Sequence, residues 1–262
     1  MHKVSIVVVC LNESLQKISL TLDSIIEQTY PAFELIFIDG GSKADTLTAI
    51  EKYNKYIDCF LSEPDRGIFD AMNKGISLAT GEWINFMNIG DSFENKHVLS
   101  NVFTSKINSN TGIIYGDTSL LLSWGTPVLK AKSLNFLLRD MNFVHQSAFV
   151  LTSLLKDNLF DIKFRYTADY NFFFTMYKRN VGFQYFELIV SQYDSENSIS
   201  AKHYISVTIE KAKICGIYTN LNWRCNFLFF TVHSHCKAIF KKLLPNELRY
   251  QLRKWNYKRL SK

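Results

Sequence analysis

The feature that most constrains the fold is an alternation in the first 95 residues, where short apolar runs are each followed by a segment of helical periodicity. "VSIVVVCL" (4–11), "FELIFIDGG" (33–41), "IDCFLSE" (57–63) and "EWINFMN" (82–88) read as strands rich in β-branched and aromatic residues. Between them, "SLQKISLTLDSIIEQ" (14–28) sets Leu15, Ile18, Leu22, Ile25 and Ile26 at helical spacing, with Ser14 as N-cap. "ADTLTAIEKYNKY" (44–56) and "GIFDAMNKGISLAT" (67–80) repeat the pattern, the second with Gly81 as its C-terminal stop. Strand and helix alternating at this spacing imply parallel strands joined by right-handed crossovers. Strands apolar on both faces need helices on both sides, so the expected class is α/β with a mostly parallel central sheet.

In open sheets of this kind, ligands lie beyond the carboxyl ends of the strands. The polar residues fall there: Asn12 and Glu13 after the first strand, Asp39, Gly40 and Gly41 after the second, Glu63, Asp65 and Arg66 after the third, and Asn88, Gly90 and Asp91 after the fourth. Any one group is ordinary turn chemistry. Four consecutive strand ends with carboxylates or amides point to a site. "CLNESLQK" contains no glycine, which excludes the glycine-rich dinucleotide fingerprint and the phosphate-cradling P-loop. A nucleotide sugar whose diphosphate is carried by a divalent cation needs no such cradle.

Charge is unevenly distributed. Residues 221–262 hold ten Lys and Arg against the single acid Glu247, which leaves residues 1–220 with 20 basic and 23 acidic side chains. The overall charge of +6 therefore belongs to the tail, and a nucleic-acid surface is not supported. Five cysteines show no CxxC pair, so a reducing cytosol is the simplest home. Lys3 and the apolar run behind it could pass for a signal peptide, but no small-residue cleavage site follows, and the run reads as a buried first strand. No stretch reaches the roughly 18 to 20 apolar residues of a spanning helix.

"VSIVVVCLNE", "FELIFIDGGSKADT", "SEPDRGIFDAMNKGISLATGEWINFMNIGDSF", "HQSAFV" and "TADYNF" together resemble the family 2 glycosyltransferases of the GT-A fold. Bacterial enzymes of O-antigen, capsule and colanic-acid-type polysaccharides are the nearest in pattern. The resemblance implies an inverting transfer of a sugar from a nucleotide donor, usually a UDP-sugar. It divides the chain into a GT-A domain over 1–220, with a nucleotide-sugar half (1–95) and an acceptor half (96–220), and a basic tail (221–262). By this likeness Val9, Asn12, Glu13 and Asp39 fall where base and ribose are held, with Asp39 accepting a base N–H. Arg66 and Lys74 fall near the nucleotide and diphosphate. A late Asp of a D-x-D pattern binds Mn or Mg in the family; here the segment is Asn88-Ile89-Gly90-Asp91, so only Asp91 keeps a charge, with Asn88 standing where the first carboxylate would be. The other reading of Asp91 is a cap on the segment beginning at Ser92. Asp169 matches the catalytic base, although Thr167 and Asp169 are also what a helix N-terminus favours. His145 and Gln146 resemble the acceptor-side HQ motif. Tyr115, Gly116 and Asp117 fall at an apparent strand end without assigned chemistry, and Asp161, Arg165 and Tyr170 are likewise unassigned.

In the tail, Val232, Cys236, Ile239, Phe240 and Leu243 share a helical face beside Lys237, Lys241 and Lys242. After Pro245, Leu248, Leu252 and Trp255 recur among Arg249, Arg253 and Lys254. Such basic amphipathic helices lie in an anionic membrane surface, or they pack on the domain with a solvated basic face. The first reading implies a peripheral protein on the inner face of the bacterial membrane and a lipid-linked saccharide acceptor. Two other function classes remain: a nucleotidyltransferase, which lacks its glycine- and arginine-rich loop here, and a non-catalytic nucleotide-sugar-binding or assembly protein, should the eroded D-x-D have lost its metal.

Overall fold

The structure, a computed structural model, describes residues 1–231. The tail pattern from Val232 to Trp255 lies outside the described residues.

The four expected strands form as β1 (Val4–Cys10), β2 (Phe33–Asp39), β3 (Cys59–Ser62) and β4 (Trp83–Asn88). The crossovers are α1 (Leu15–Ile26), α2 (Ala44–Glu51) and α3 (Ile68–Leu78). β1 pairs in parallel with both β2 and β4, and β3 continues the parallel run beyond β2. β5 (Ser92–Phe93), β6 (Thr111–Leu120), β7 (Val128–Leu129), β8 (Ala148–Leu151) and β9 (Gly182–Tyr193) complete a nine-stranded sheet among the described residues, in the order β3-β2-β1-β4-β8-β6-β9-β5, with β7 on β6. β8 runs antiparallel to both β4 and β6, so one sheet crosses the expected division at residue 95. The remaining helices are α4 (Val98–Phe103), α5 (Thr152–Asp157), α6 (Ala168–Lys178), α7 (Ile199–Lys202) and α8 (Tyr204–Ile214). Residues 221–231 are helical.

Every residue of β1 is buried because α1, α2 and α4 pack on one face of the sheet and α3, α5 and α6 on the other. The alternating side chains of β1 are divided accordingly: Val4, Ile6 and Val8 enter one core, Val7 and Val9 the other.

Several sequence expectations shift in detail. The second helix ends at Glu51, and a separate 3-10 turn spans Asn54–Tyr56. β3 is shorter than its apolar run and alternates half-buried with exposed, as an edge strand does. Ser14 sits at the α1 N-cap in extended geometry, but its side chain makes no capping bond. Tyr115, Gly116 and Asp117 lie inside β6, not at its end, because β6 runs on to Leu120 beside β9. Gly81 does not stop α3 by a left-handed turn: the helix already ends at Leu78. Its requirement is close approach, since a Cβ there would lie 2.7 Å from the Ser5 backbone nitrogen and 2.9 Å from the Lys3 carbonyl oxygen.

Beside that contact sits Glu34, buried at the start of β2. Its carboxylate accepts from Ser5 Oγ, Thr80 N (2.8 Å), Thr80 Oγ1 (2.6 Å) and Gly81 N (3.1 Å), and Lys3 Nζ lies 2.6 Å away. Burial alone would raise its pKa, but the bonds from Lys3, Ser5 and Thr80 outweigh that and hold it down at about 2. A carboxyl depressed in the folded state contributes stability above its unfolded value, and that stability is lost as pH falls from about 4.5 toward about 2. Glu34→Gln is expected to cost about 1–3 kcal/mol at neutral pH and to flatten the acid limb of stability in that window. Urea melts of both proteins between pH 7 and pH 3 test this; parallel acid limbs would contradict it.

Candidate active site

The carboxyl ends of β1 and β4 open into a cavity of about 640 Å³ whose lining includes Val9, Glu13, Asn88, Asp91, His145 and Asp169. The lining also includes the last residue of β9, Tyr193, with Asp194 and Asn197 after it and His203 at the approach to α8.

The loop after β4 is shaped locally. Gly90 has φ +100°, a left-handed conformation that favours glycine, and this turns Asp91 back over the sheet. Thr21 of α1, fully buried, fixes the turn: its Oγ1 accepts from Gly90 N–H (2.9 Å) and donates to the Asp91 carbonyl (2.7 Å). The Asp91 side chain is itself buried. Gln146 Nε2 donates to Oδ2 (2.5 Å) and the Asp194 backbone N–H donates to Oδ1 (3.1 Å). Burial pushes its pKa up to about 6, against the pull of those two donors and of His145. Asp91 N–H bonds the Asn88 carbonyl (3.0 Å), but the Asp91 carboxylate bonds Gln146 and Asp194 and does not cap the segment at Ser92.

Asp169 stands in the first turn of α6 at 3.1 Å from His145 Nδ1. Asn88 Nδ2 meets His145 Nε2 at 3.3 Å. A neutral imidazole protonated on Nδ1 satisfies both contacts, donating to Asp169 and accepting from Asn88. Thr167 is the α6 N-cap by position, but its Oγ1 donates to Glu210 Oε2 (2.9 Å) instead of capping its own helix.

The acidic loop offers few further ligands. Among the described residues, no three His, Cys, Asp or Glu side chains gather as a metal-binding group. Two buried acceptors at the site lack a hydrogen-bond partner: Asn88 Oδ1 and Gln146 Oε1. These oxygens and the Asp91 carboxylate are the donor type a hard cation takes, although Gln146 turns its Nε2, not its Oε1, toward Asp91.

The donor-side residues divide. Val9 and Glu13 line the cavity, Glu13 paired with Lys17 Nζ at 2.9 Å. Asp39 lies fully buried beneath the cavity wall; Oδ2 accepts from Gly41 N (3.2 Å), Ser42 N (2.9 Å) and Ser62 Oγ (2.7 Å), while Oδ1 has no partner. Asn12, at φ 53°, ties two loops together through Ser42 Oγ to its N–H and Lys43 N–H to its Oδ1, and is not among the lining. Arg66 and Lys74 are not brought to the cavity either: Arg66 is exposed and pairs with Asp70 (2.9 Å), and Lys74 pairs with Glu63 (2.9 Å). Lys17, Thr21, Tyr193 and Asp194 escaped the sequence reading. For Asp194 the polar run after β9 was the available signal; for Thr21, one polar residue on the buried face of α1 was.

Residues 5–116 match the family model described as Glycosyl transferase family 2. A PGL/p-HBAD biosynthesis glycosyltransferase of Mycobacterium bovis is 30% identical over 189 residues, covering 68% of this chain and 72% of that one. The chain belongs to glycosyl transferase family 2. A glycosyltransferase of Rickettsia typhi is 25% identical over 201 residues, covering 69% of this chain and 61% of its own length. The GT-A fold is shown by likeness to solved structures. Staphylococcus aureus TarS with UDP superposes at TM-score 0.63 and 20% identity, covering 81% of this family 2 chain and 65% of that chain. A Pyrobaculum calidifontis mannosyltransferase with GDP-Man and Mn2+ superposes at 0.60 and 18%, covering 85% and 64%.

Thr21→Val keeps the shape of the side chain but strands a buried N–H and carbonyl in the Asp91 loop. A stability loss of about 1–3 kcal/mol is expected, together with weaker binding of nucleoside diphosphate. Thermal melts and UDP titrations check this; unchanged UDP affinity would show that the loop does not depend on Thr21.

Proposed function

We propose that this family 2 glycosyltransferase moves a sugar, with inversion, from a UDP-sugar to a hydroxyl of a lipid-linked saccharide in bacterial surface polysaccharide biosynthesis. One observation carries the reading: the adjacent residues His145 and Gln146 hold Asp169 and Asp91, so a base and a cation ligand face one cavity. Solved neighbours that hold UDP, UDP-GlcNAc or GDP-Man support a nucleotide-sugar donor.

Asp91, with Asn88 Oδ1 and with Gln146 Oε1 once its amide turns over, would hold Mn or Mg. That cation supplies neutralisation of the charge developing on the leaving diphosphate. Asp169, oriented by His145, takes the proton of the acceptor hydroxyl. The acceptor oxygen forms a bond to the anomeric carbon on the face opposite the leaving group as the carbon–oxygen bond to the diphosphate breaks, which inverts the configuration. Val9 and Glu13 line the wall where the nucleoside would rest. Asp39 is buried outside the lining, so its unpartnered Oδ1 would reach a base N–H only if the loops over it open. Arg66 and Lys74 would reach the donor only by leaving Asp70 and Glu63.

Asp91→Asn and Asp169→Asn are each expected to lower turnover by about 10²–10⁴-fold, while Asp157→Asn, at the end of α5, stays near wild type. The check is transfer from a panel of UDP-sugars with Mn or Mg, read by mass spectrometry, with UDP binding in parallel. The Asp91 variant loses cation-dependent UDP binding and the Asp169 variant keeps it; wild-type turnover in the Asp91 variant would overturn the cation assignment.

We place the protein at the cytoplasmic face of the membrane, held through residues 221–262. No helix among the described residues is long and apolar enough to cross a membrane. Leu221, Leu228, Phe229 and Phe230 are exposed at the start of the tail, which supports contact with an anionic membrane surface. Removal of residues 221–262 is expected to shift the protein from the membrane pellet to the supernatant of a lysate, as high salt does for the intact chain. Full solubility of the intact chain at low salt would contradict it.

A further inference from the structure

Charge is segregated within the cavity. Of its lining, Asp91 is buried and Asp169 and Asp194 half-buried, whereas Arg165 and His203 are exposed and, with the half-buried Lys211, make up its lip. Lys211 is paired with Asp140, and Lys17 on the donor side with Glu13. Among the described residues, the Arg165 guanidinium has no carboxylate within ion-pair distance although it lines the cavity. Its neighbour Tyr166 stacks on the His203 imidazole, ring centroids 4.8 Å apart and 24° from parallel, and the guanidinium carbon lies 5.9 Å from the Tyr166 ring centre.

The lip is built, not an accident of surface loops. The Glu210 carboxylate of α8 accepts from Arg165 N (3.0 Å), Tyr166 N (2.9 Å) and Thr167 Oγ1 (2.9 Å). One carboxylate thus fixes Arg165 and the first residues before the helix that carries Asp169. Glu210 is occupied by those three donors, which leaves the guanidinium itself available to an anion.

From the lip an apolar path leads outward. Tyr204, next to His203, meets Phe230 edge-on at 6.1 Å, and Phe229 and Leu228 beside it are 76% and 65% exposed. A cationic lip continuous with an exposed apolar face matches an amphiphile with an anionic group between its sugar and its hydrocarbon.

We infer that Arg165, with His203 on Tyr166, forms an anion subsite for the phosphate that joins the acceptor's sugar to its lipid, which rests on the assignment of this cavity to sugar transfer. The phosphate sits at the lip, the hydrocarbon follows Tyr204 and Phe230, and the sugar hydroxyl reaches inward to Asp169. A phenolic or other uncharged linkage gains nothing from this lip.

The test is calorimetric titration of the full chain with UDP and Mn present, using octyl phosphate below its micelle threshold, octyl glucoside and inorganic phosphate. Octyl phosphate is expected to bind about tenfold or more tighter than either of the others. Arg165→Gln removes most of that preference, Arg165→Lys retains part of it, and His203→Gln reduces it. Equal affinity for octyl glucoside, or a preference that survives in Arg165→Gln, would overturn the subsite. Equal affinity for inorganic phosphate would overturn the lipid-linked anion. Failure of UDP to bind in the same titrations would instead bring down the sugar-transfer reading beneath it, so the two failures are distinguishable.

Discussion

The site depends on the turn at residues 145–147 between the middle and the far side of the sheet. Its backbone is pinned to β4 by Asn85, whose Nδ2 donates to the Gln146 and Ala148 carbonyls, each at 2.9 Å. Its base is pinned to β6 and β9 by the Ser147 hydroxyl, which lies 2.7 Å from both Thr118 Oγ1 and Ser191 Oγ and 2.9 Å from the Asp117 carbonyl. All of these groups are buried, so leaving any unpaired would be costly and the turn has little freedom. From this anchored segment His145 and Gln146 reach to Asp169 and Asp91. The separation between Asp169 and Asp91 is therefore set by one backbone turn held by three strands.

This arrangement explains why the sheet changes direction where it does. The first four strands run parallel and deliver their polar ends to one edge, which makes a wall for a nucleotide but no opposing face. β8 enters antiparallel beside β4, so the residues just before it arrive at the same edge as the carboxyl end of β4. The antiparallel strand brings Gln146, 55 residues away in sequence, against Asp91.

The first half of the fold was legible because strands buried on both faces are written as unbroken apolar runs, and helices as periodic ones. The boundaries that slipped are those where a tertiary contact replaced a local signal: Gly81 is needed by the backbone of β1, not by its helix. Asp91, Asp169, His145 and Gln146 were readable from their motifs, and the structure brings them to one cavity. Arg66 and Lys74 were placed near the donor by the same family resemblance, yet they pair with Asp70 and Glu63 and are not among the cavity lining. Asn12 joins two loops, a role visible only once both loops exist. Thr21, Glu210 and Asp194 act through bonds to residues 43 to 103 positions distant, and no local pattern marks such residues.

The loss of charge at position 88 is coupled to the state of His145. Its Nδ1 faces the Asp169 carboxylate, so the proton sits there and Nε2 presents a lone pair toward residue 88. An amide can donate to that lone pair; a carboxylate cannot. A carboxylate at this point would face that lone pair with no proton to share. It would also add a further negative charge to a cavity already lined by Asp91, Asp169 and Asp194. Asn88 supplies the donor that fixes the imidazole and adds no repulsion. Asn88 is thus the residue compatible with an imidazole that donates from Nδ1 to Asp169.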